Sequence, residues 1–107
     1  MLLSTTDTLD GHPIQAYLGI VTAEVVYGSN ALRDFFAGIR DIIGGRTGSY
    51  ERVFQQSQNE AMKELEQRAK KLGANGVVGI RISTGSIEIG DGGVLLLVTA
   101  IGTAVKI

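Results

Sequence analysis

GGRTGSYERVFQQSQNEAMKELEQRAKKLGANG, residues 44–76, decides the fold. After a glycine-rich approach, apolar side chains stand at Tyr50, Val53, Phe54, Ala61, Met62, Leu65, Ala69 and Leu72, and Ser57 fills the step between Phe54 and Ala61. Steps of three and four stack side chains on one helical face. The spacing therefore predicts one amphipathic helix over residues 50–72, roughly 35 Å long at ~1.5 Å per residue. Ser49 is placed as its N-cap and Glu51 as a first-turn negative charge. Lys70 and Lys71 suit the last turn, and Gly73 is a left-handed stop. Glu64–Arg68 and Glu66–Lys70 make i,i+4 pairs in the favourable order on a solvated face.

On either side the pattern changes to strands. Residues 1–4 read as a short edge strand, and residues 5–13 as a polar loop ending in the only proline. Residues 14–26, IQAYLGIVTAEVV, are apolar at both parities apart from Glu24, the signature of a strand covered on both faces. Leu32, Phe35, Phe36, Ile39, Ile42 and Ile43 recur at helical spacing and predict a shorter helix over residues 31–43. After the long helix, residues 77–89 form a β-branched strand whose inward parity switches near Gly85, predicting a bulge there. Asp91-Gly92 signals a hairpin, and residues 94–107 make a last strand, apolar at both parities. The order is ββααββ in one domain, residues 1–107: an α+β fold with a mainly antiparallel sheet and both helices on one face.

The strands carry more apolar surface than two helices on one side can hide. An exposed patch of that size exceeds what a monomer usually presents, so copies of the chain are expected to shelter one another in a closed ring. Strand-interior glycines such as Gly19, Gly79, Gly85 and Gly102 fit close approach by a helix or a neighbouring subunit.

The net charge of −1 and a pI near 5.7 argue against nucleic acid as a partner, and no basic run addresses an anionic membrane. With no cysteine, thiol catalysis, disulfides and cysteine-based metal sites are excluded. The first residues lack the basic and long apolar segments of a secretion signal, so the cytoplasm is the expected location.

Three candidate sites remain. The loop GGRTGSYE, residues 44–51, offers backbone N–H groups, Arg46 and a helix start at Ser49 and Tyr50 as an anion cradle. It lacks the Gly-Lys-Ser/Thr ending of a nucleotide-hydrolysing loop, and Glu51 would repel a phosphate. His12 with Asp10 and Asp7 offers hard ligands for a divalent metal, weighed against a solvated loop histidine. Glu24, alone among apolar residues, is either a buried, functional carboxylate, or one whose parity points to solvent near the strand end or that pairs with an arginine such as Arg81 on a neighbouring strand. No nucleophile–base set and no carboxylate pair at a defined spacing point to catalysis, so a non-enzymatic role is expected.

GGRTGSYE before a long helix, then LGANGVVGIR, then GTAV near the C-terminus, closely resembles the YbjQ-like family, labelled heavy-metal-binding, over essentially the whole chain. The resemblance implies a small dodecin- or YbjQ-like α+β subunit and a homopentamer with sheets around the fivefold axis and helices outside. Its selenium-binding relatives depend on a cysteine that this chain lacks. The expected function is that of a ring-forming cytoplasmic protein binding a metal ion or small ligand between subunits. The alternatives are an anion-binding module built on residues 44–51 and a purely structural assembly protein.

Overall fold

A computed structural model describes residues 1–28, 46–89 and 93–107, with the backbone alone at 46–50, 89, 93 and 94. Its elements are β1 (Leu2–Leu3), β2 (Ala16–Tyr27), α1 (Arg46–Lys71), β3 (Gly76–Ile89) and β4 (Gly93–Lys106). The predicted helix over residues 31–43 and the Asp91-Gly92 turn lie outside the described residues.

The four strands form one sheet in the order β1-β3-β4-β2. β4 is antiparallel to both long neighbours, whereas the two-residue β1 runs parallel to β3, so the sheet is mixed. β4 thus lies between the two long strands, with Val98, Ala100 and Ala104 in the core beneath the helix and its other parity on the opposite face.

The long helix packs on one face through a single row. Val53, Ser57, Ala61, Leu65 and Ala69, spaced by four, are buried. Ala61, Leu65 and Ala69 join one core cluster with Val21 and Ala23 of β2, Val77 and Ile80 of β3, and Val98, Ala100 and Ala104 of β4. Three of the five helix residues are Ala or Ser, and such small side chains let the helix sit close to the sheet. The buried Ser57 hydroxyl donates to the Phe54 carbonyl at 2.8 Å, leaving no polar atom stranded there.

The helix begins at Arg46, earlier than the spacing predicts. Ser49 therefore lies inside the helix and is not its N-cap. Glu51 falls beyond the first turn, which contains no acidic residue. The other end is as expected: Arg68, Lys70 and Lys71 occupy the last turn, and Gly73 has φ of 83°.

The predicted bulge is displaced. β3 stays in register at Gly85, opposite Leu97, and shifts instead between Val78 and Arg81. Gly79 lies there at φ 63°, a conformation that disfavours any side chain. Its N–H donates to the Thr6 carbonyl at 2.8 Å and that of Ile80 to the Ser4 carbonyl at 3.1 Å, while the Ser4 N–H donates to Val77 at 2.9 Å. The bulge is thus where the N-terminal segment docks, a long-range cause that no local parity reveals.

Where residues oppose one another across the strands, their side chains share a face. With Val21 and Ala23 under the helix, Ile20, Thr22, Glu24 and Val26 of β2 point the other way. Leu95, Leu97, Thr99, Ile101 and Thr103 of β4 and Arg81, Ser83 and Ile87 of β3 share that outer face. Ile20 is 73% exposed, Val26 55%, Ile87 51% and Ile101 46%. The radius of gyration, 16.7 Å, exceeds the roughly 13 Å of a compact chain of this length.

Candidate functional site

A polar seam runs where α1 meets the outer strand β2. Residues 60, 64 and 68 of the helix, spaced by four, form a row that travels antiparallel to β2: Glu60 meets Tyr27, and Arg68 meets Thr22 and Glu24. The two segments lie more than thirty positions apart in sequence, so their meeting follows only from the helix crossing the sheet.

Arg68 is the centre of the seam. One guanidinium nitrogen, Nη2, donates to Glu64 Oε1 at 2.6 Å. The other, Nη1, donates to the Thr22 carbonyl and to Glu24 Oε2, the latter at 3.4 Å. To do so the side chain reaches round the sheet edge from the helix face. A guanidinium presents several donors in a fixed plane and is suited to holding two carboxylates and a carbonyl together. The Arg68 and Glu24 side chains are 40% and 50% exposed, so these pairs are screened by water and contribute little stability. Arg68 thus also satisfies the Thr22 carbonyl at the β2 edge of the sheet.

At the far end of the row, Tyr27 has its phenol pushed up to about 12, first by burial and then by its hydrogen bond to Glu60 and that carboxylate's charge. The phenol stays neutral at physiological pH and donates to Glu60.

This geometry settles where the anticipated residues stand. Glu24 is half exposed and held by Arg68. Arg81 is not its partner within the chain, because β4 lies between their strands. Arg81 instead donates to the Thr5 and Ile80 carbonyls, each at 3.2 Å. The side chains of Arg46, Ser49 and Tyr50 lie outside the described residues, and Glu51 is exposed on the second turn of α1. His12 and Asp10 are both exposed in the loop before β2, where the His12 N–H closes a turn onto Leu9 at 3.1 Å. Sequence reasoning found the Glu64–Arg68 pair but took it for a purely solvated one. Tyr27–Glu60 left only a faint signal: a carboxylate one turn before Glu64 on the same helical row.

A family model described as "Putative heavy-metal-binding", that of YbjQ, matches residues 1–107. Heavy-metal ions favour thiolate and imidazole donors, yet the chain has no cysteine and one histidine. Among the described residues no three His, Cys, Asp or Glu side chains gather as a metal site. The residues present do not fit a heavy-metal centre within one chain. The UPF0145 protein of Trichodesmium erythraeum is 68% identical over 107 residues, taking in 100% of this chain and 99% of its own. That of a Synechocystis species is 65% identical with the same coverage. Among solved structures, a protein of unknown function from the DUF74 family of Pediococcus pentosaceus superposes with a TM-score of 0.67 at 21% identity. It takes in 100% of this chain and 97% of its own, a likeness of fold. With its full length matched by the family model and by relatives of this similarity, the chain belongs to the YbjQ family of UPF0145 proteins.

Proposed function

We propose that this chain is a non-catalytic, self-associating subunit whose working form is a closed homo-oligomeric ring, a pentamer by resemblance to its family, with ligand capacity at the joins between subunits. The observation that carries the reading is the outer sheet face: Ile20, Val26, Ile87 and Ile101 are each close to half exposed or more on a single chain. Apolar surface gains about 25 cal/mol for each Å² removed from water, so covering this face favours association. A ring does so with one repeated contact. The extended shape of the single chain points the same way, because β3 from Arg81 to Glu88 is exposed throughout. Sedimentation velocity over a dilution series tests the proposal. A single species several times the subunit mass is expected, and a well-behaved monomer at high dilution would refute it.

A further inference from the structure

The sheet has two long edges, and they differ in charge. On one side the backbone of residues 2–6 covers β3 only as far as Ile80, through the β1 ladder and the bonds of Ser4 and Thr6. From Arg81 to Ile89 nothing among the described residues pairs with that edge. Arg81 is the one charged side chain described on the outer face there. Among the described residues it has no carboxylate within ion-pair distance, only backbone carbonyls. On the opposite edge, β2 presents Glu24 on that same face, backed by Arg68 and Glu64. Among the described residues, two carboxylates against one guanidinium leave that cluster with one unbalanced negative charge.

We infer that the join between copies is heterologous and edge to edge: β3 of one subunit lies beside β2 of the next, and Arg81 meets the Glu24–Arg68–Glu64 cluster. The inference rests on the ring proposed above and specifies its contact. The strand ladder sets the two charges at matching heights. Arg81 and Thr22 both oppose Ile101, and Ser83 and Glu24 both oppose Thr99. Repeating the sheet sideways at the same level brings Arg81 beside Thr22, one side-chain step from Glu24 and within reach of its carboxylate. β2 and β3 each run antiparallel to β4, so the new pair is parallel. The outer-face apolar residues then continue from one subunit into the next and, as the ring closes, turn inward toward its axis and one another. The Glu24–Arg81 pair that the sequence suggests, and that the single chain forbids, forms between chains. Opposite charges at a join also select this pairing over β3 against β3, which would bring Arg81 of both copies to one seam.

Two measurements on the full chain test this. Arg81→Glu and Glu24→Lys should each raise the dissociation constant of assembly about tenfold, with circular dichroism unchanged. The double variant should recover most of that loss, and simple additivity of the two effects would overturn the inference. The chain is free of cysteine, so introduced thiols report contacts cleanly. Thr22→Cys and Ser83→Cys proteins, mixed and treated with a short bis-maleimide, should form covalent dimers that neither forms alone. Dimers from Ser83→Cys alone would overturn the heterologous join while leaving the ring intact. A monomer by sedimentation would instead remove the ring itself.

Discussion

Replacing Gly102 with alanine tests how closely β3 and β4 are fitted. Gly102 lies in the central strand opposite Val21. A Cβ there would stand 2.7 Å from Val77 Cγ1, 3.1 Å from Ile80 Cγ1 and 3.3 Å from the Val78 carbonyl oxygen. Ordinary carbon–carbon contact is about 3.5–4.0 Å, so the first distance is short by about 1 Å. Val77 is fully buried and Ile80 nearly so, and branching at Cβ leaves both few alternative rotamers. The Val78 oxygen belongs to the backbone. Overpacking of this kind destabilises by about 1–3 kcal/mol, while replacing glycine gains about 0.4–1 kcal/mol through the unfolded chain. The net expectation is a loss of about 1–2 kcal/mol, or a melting temperature lower by about 5–15 °C. Urea denaturation at one fixed protein concentration measures it, so that any self-association weighs equally on every variant. Gly85→Ala is the control: nothing lies within 4 Å of a Cβ there, so that change should be neutral or slightly stabilising. If Gly102→Ala matched the control, the reading of Gly102 as a packing glycine would be wrong.

Two further outcomes follow from single contacts. In an alkaline titration followed by tyrosinate absorbance, one of the three tyrosines should ionise last, near pH 12. Tyr27→Phe should abolish that step. Glu60→Gln should lower it only in part, because burial is the larger cause. The folded pKa is raised, so the stability that neutral Tyr27 gives is complete below about pH 10. It is lost as pH rises through about 12; a native protein showing no late tyrosine would contradict the seam. Asn75, in the turn before β3, donates through Nδ2 to the Ile107 carbonyl at 2.8 Å and accepts the Ile107 N–H at 2.7 Å. Asn75→Ala should cost about 1–2 kcal/mol and accelerate amide hydrogen exchange at Val105 to Ile107. Unchanged exchange there would show that the clamp does not hold the strand end.

What the sequence made legible is what repeats locally. The step of four from Val53 to Ala69 is a property of adjacent turns, and the buried row follows it. The stop at Gly73 likewise needs only its own φ. Features that depend on a distant partner were misplaced or missed. The bulge fell at Gly79 because Thr6 and Ser4 bond there, and parity within residues 77–89 carries no trace of those bonds. Arg68 looked like one half of a helical pair, since its second carboxylate and the Thr22 carbonyl lie more than forty positions earlier in the chain. Strand order was hidden for the same reason. Only once β4 lies between β2 and β3 does Glu24 lose Arg81 as a partner within the chain.

That separation is also what gives the two residues meaning together. A sheet closed on itself within one chain would present no edge, and a lone Glu24 among apolar neighbours would then be an anomaly of burial. Here Glu24 and Arg81 mark opposite edges of one apolar face, level with neighbouring rungs of the same ladder. Within the subunit each is occupied without opposing the other, Glu24 by Arg68 and Arg81 by carbonyls. Exposed apolar surface alone favours any association that covers it and selects none. The charges at its margins add what the apolar face lacks, a direction and a register. Neutralising Glu24 and Arg81 together should therefore leave the tendency to associate and weaken the preference for one closed form.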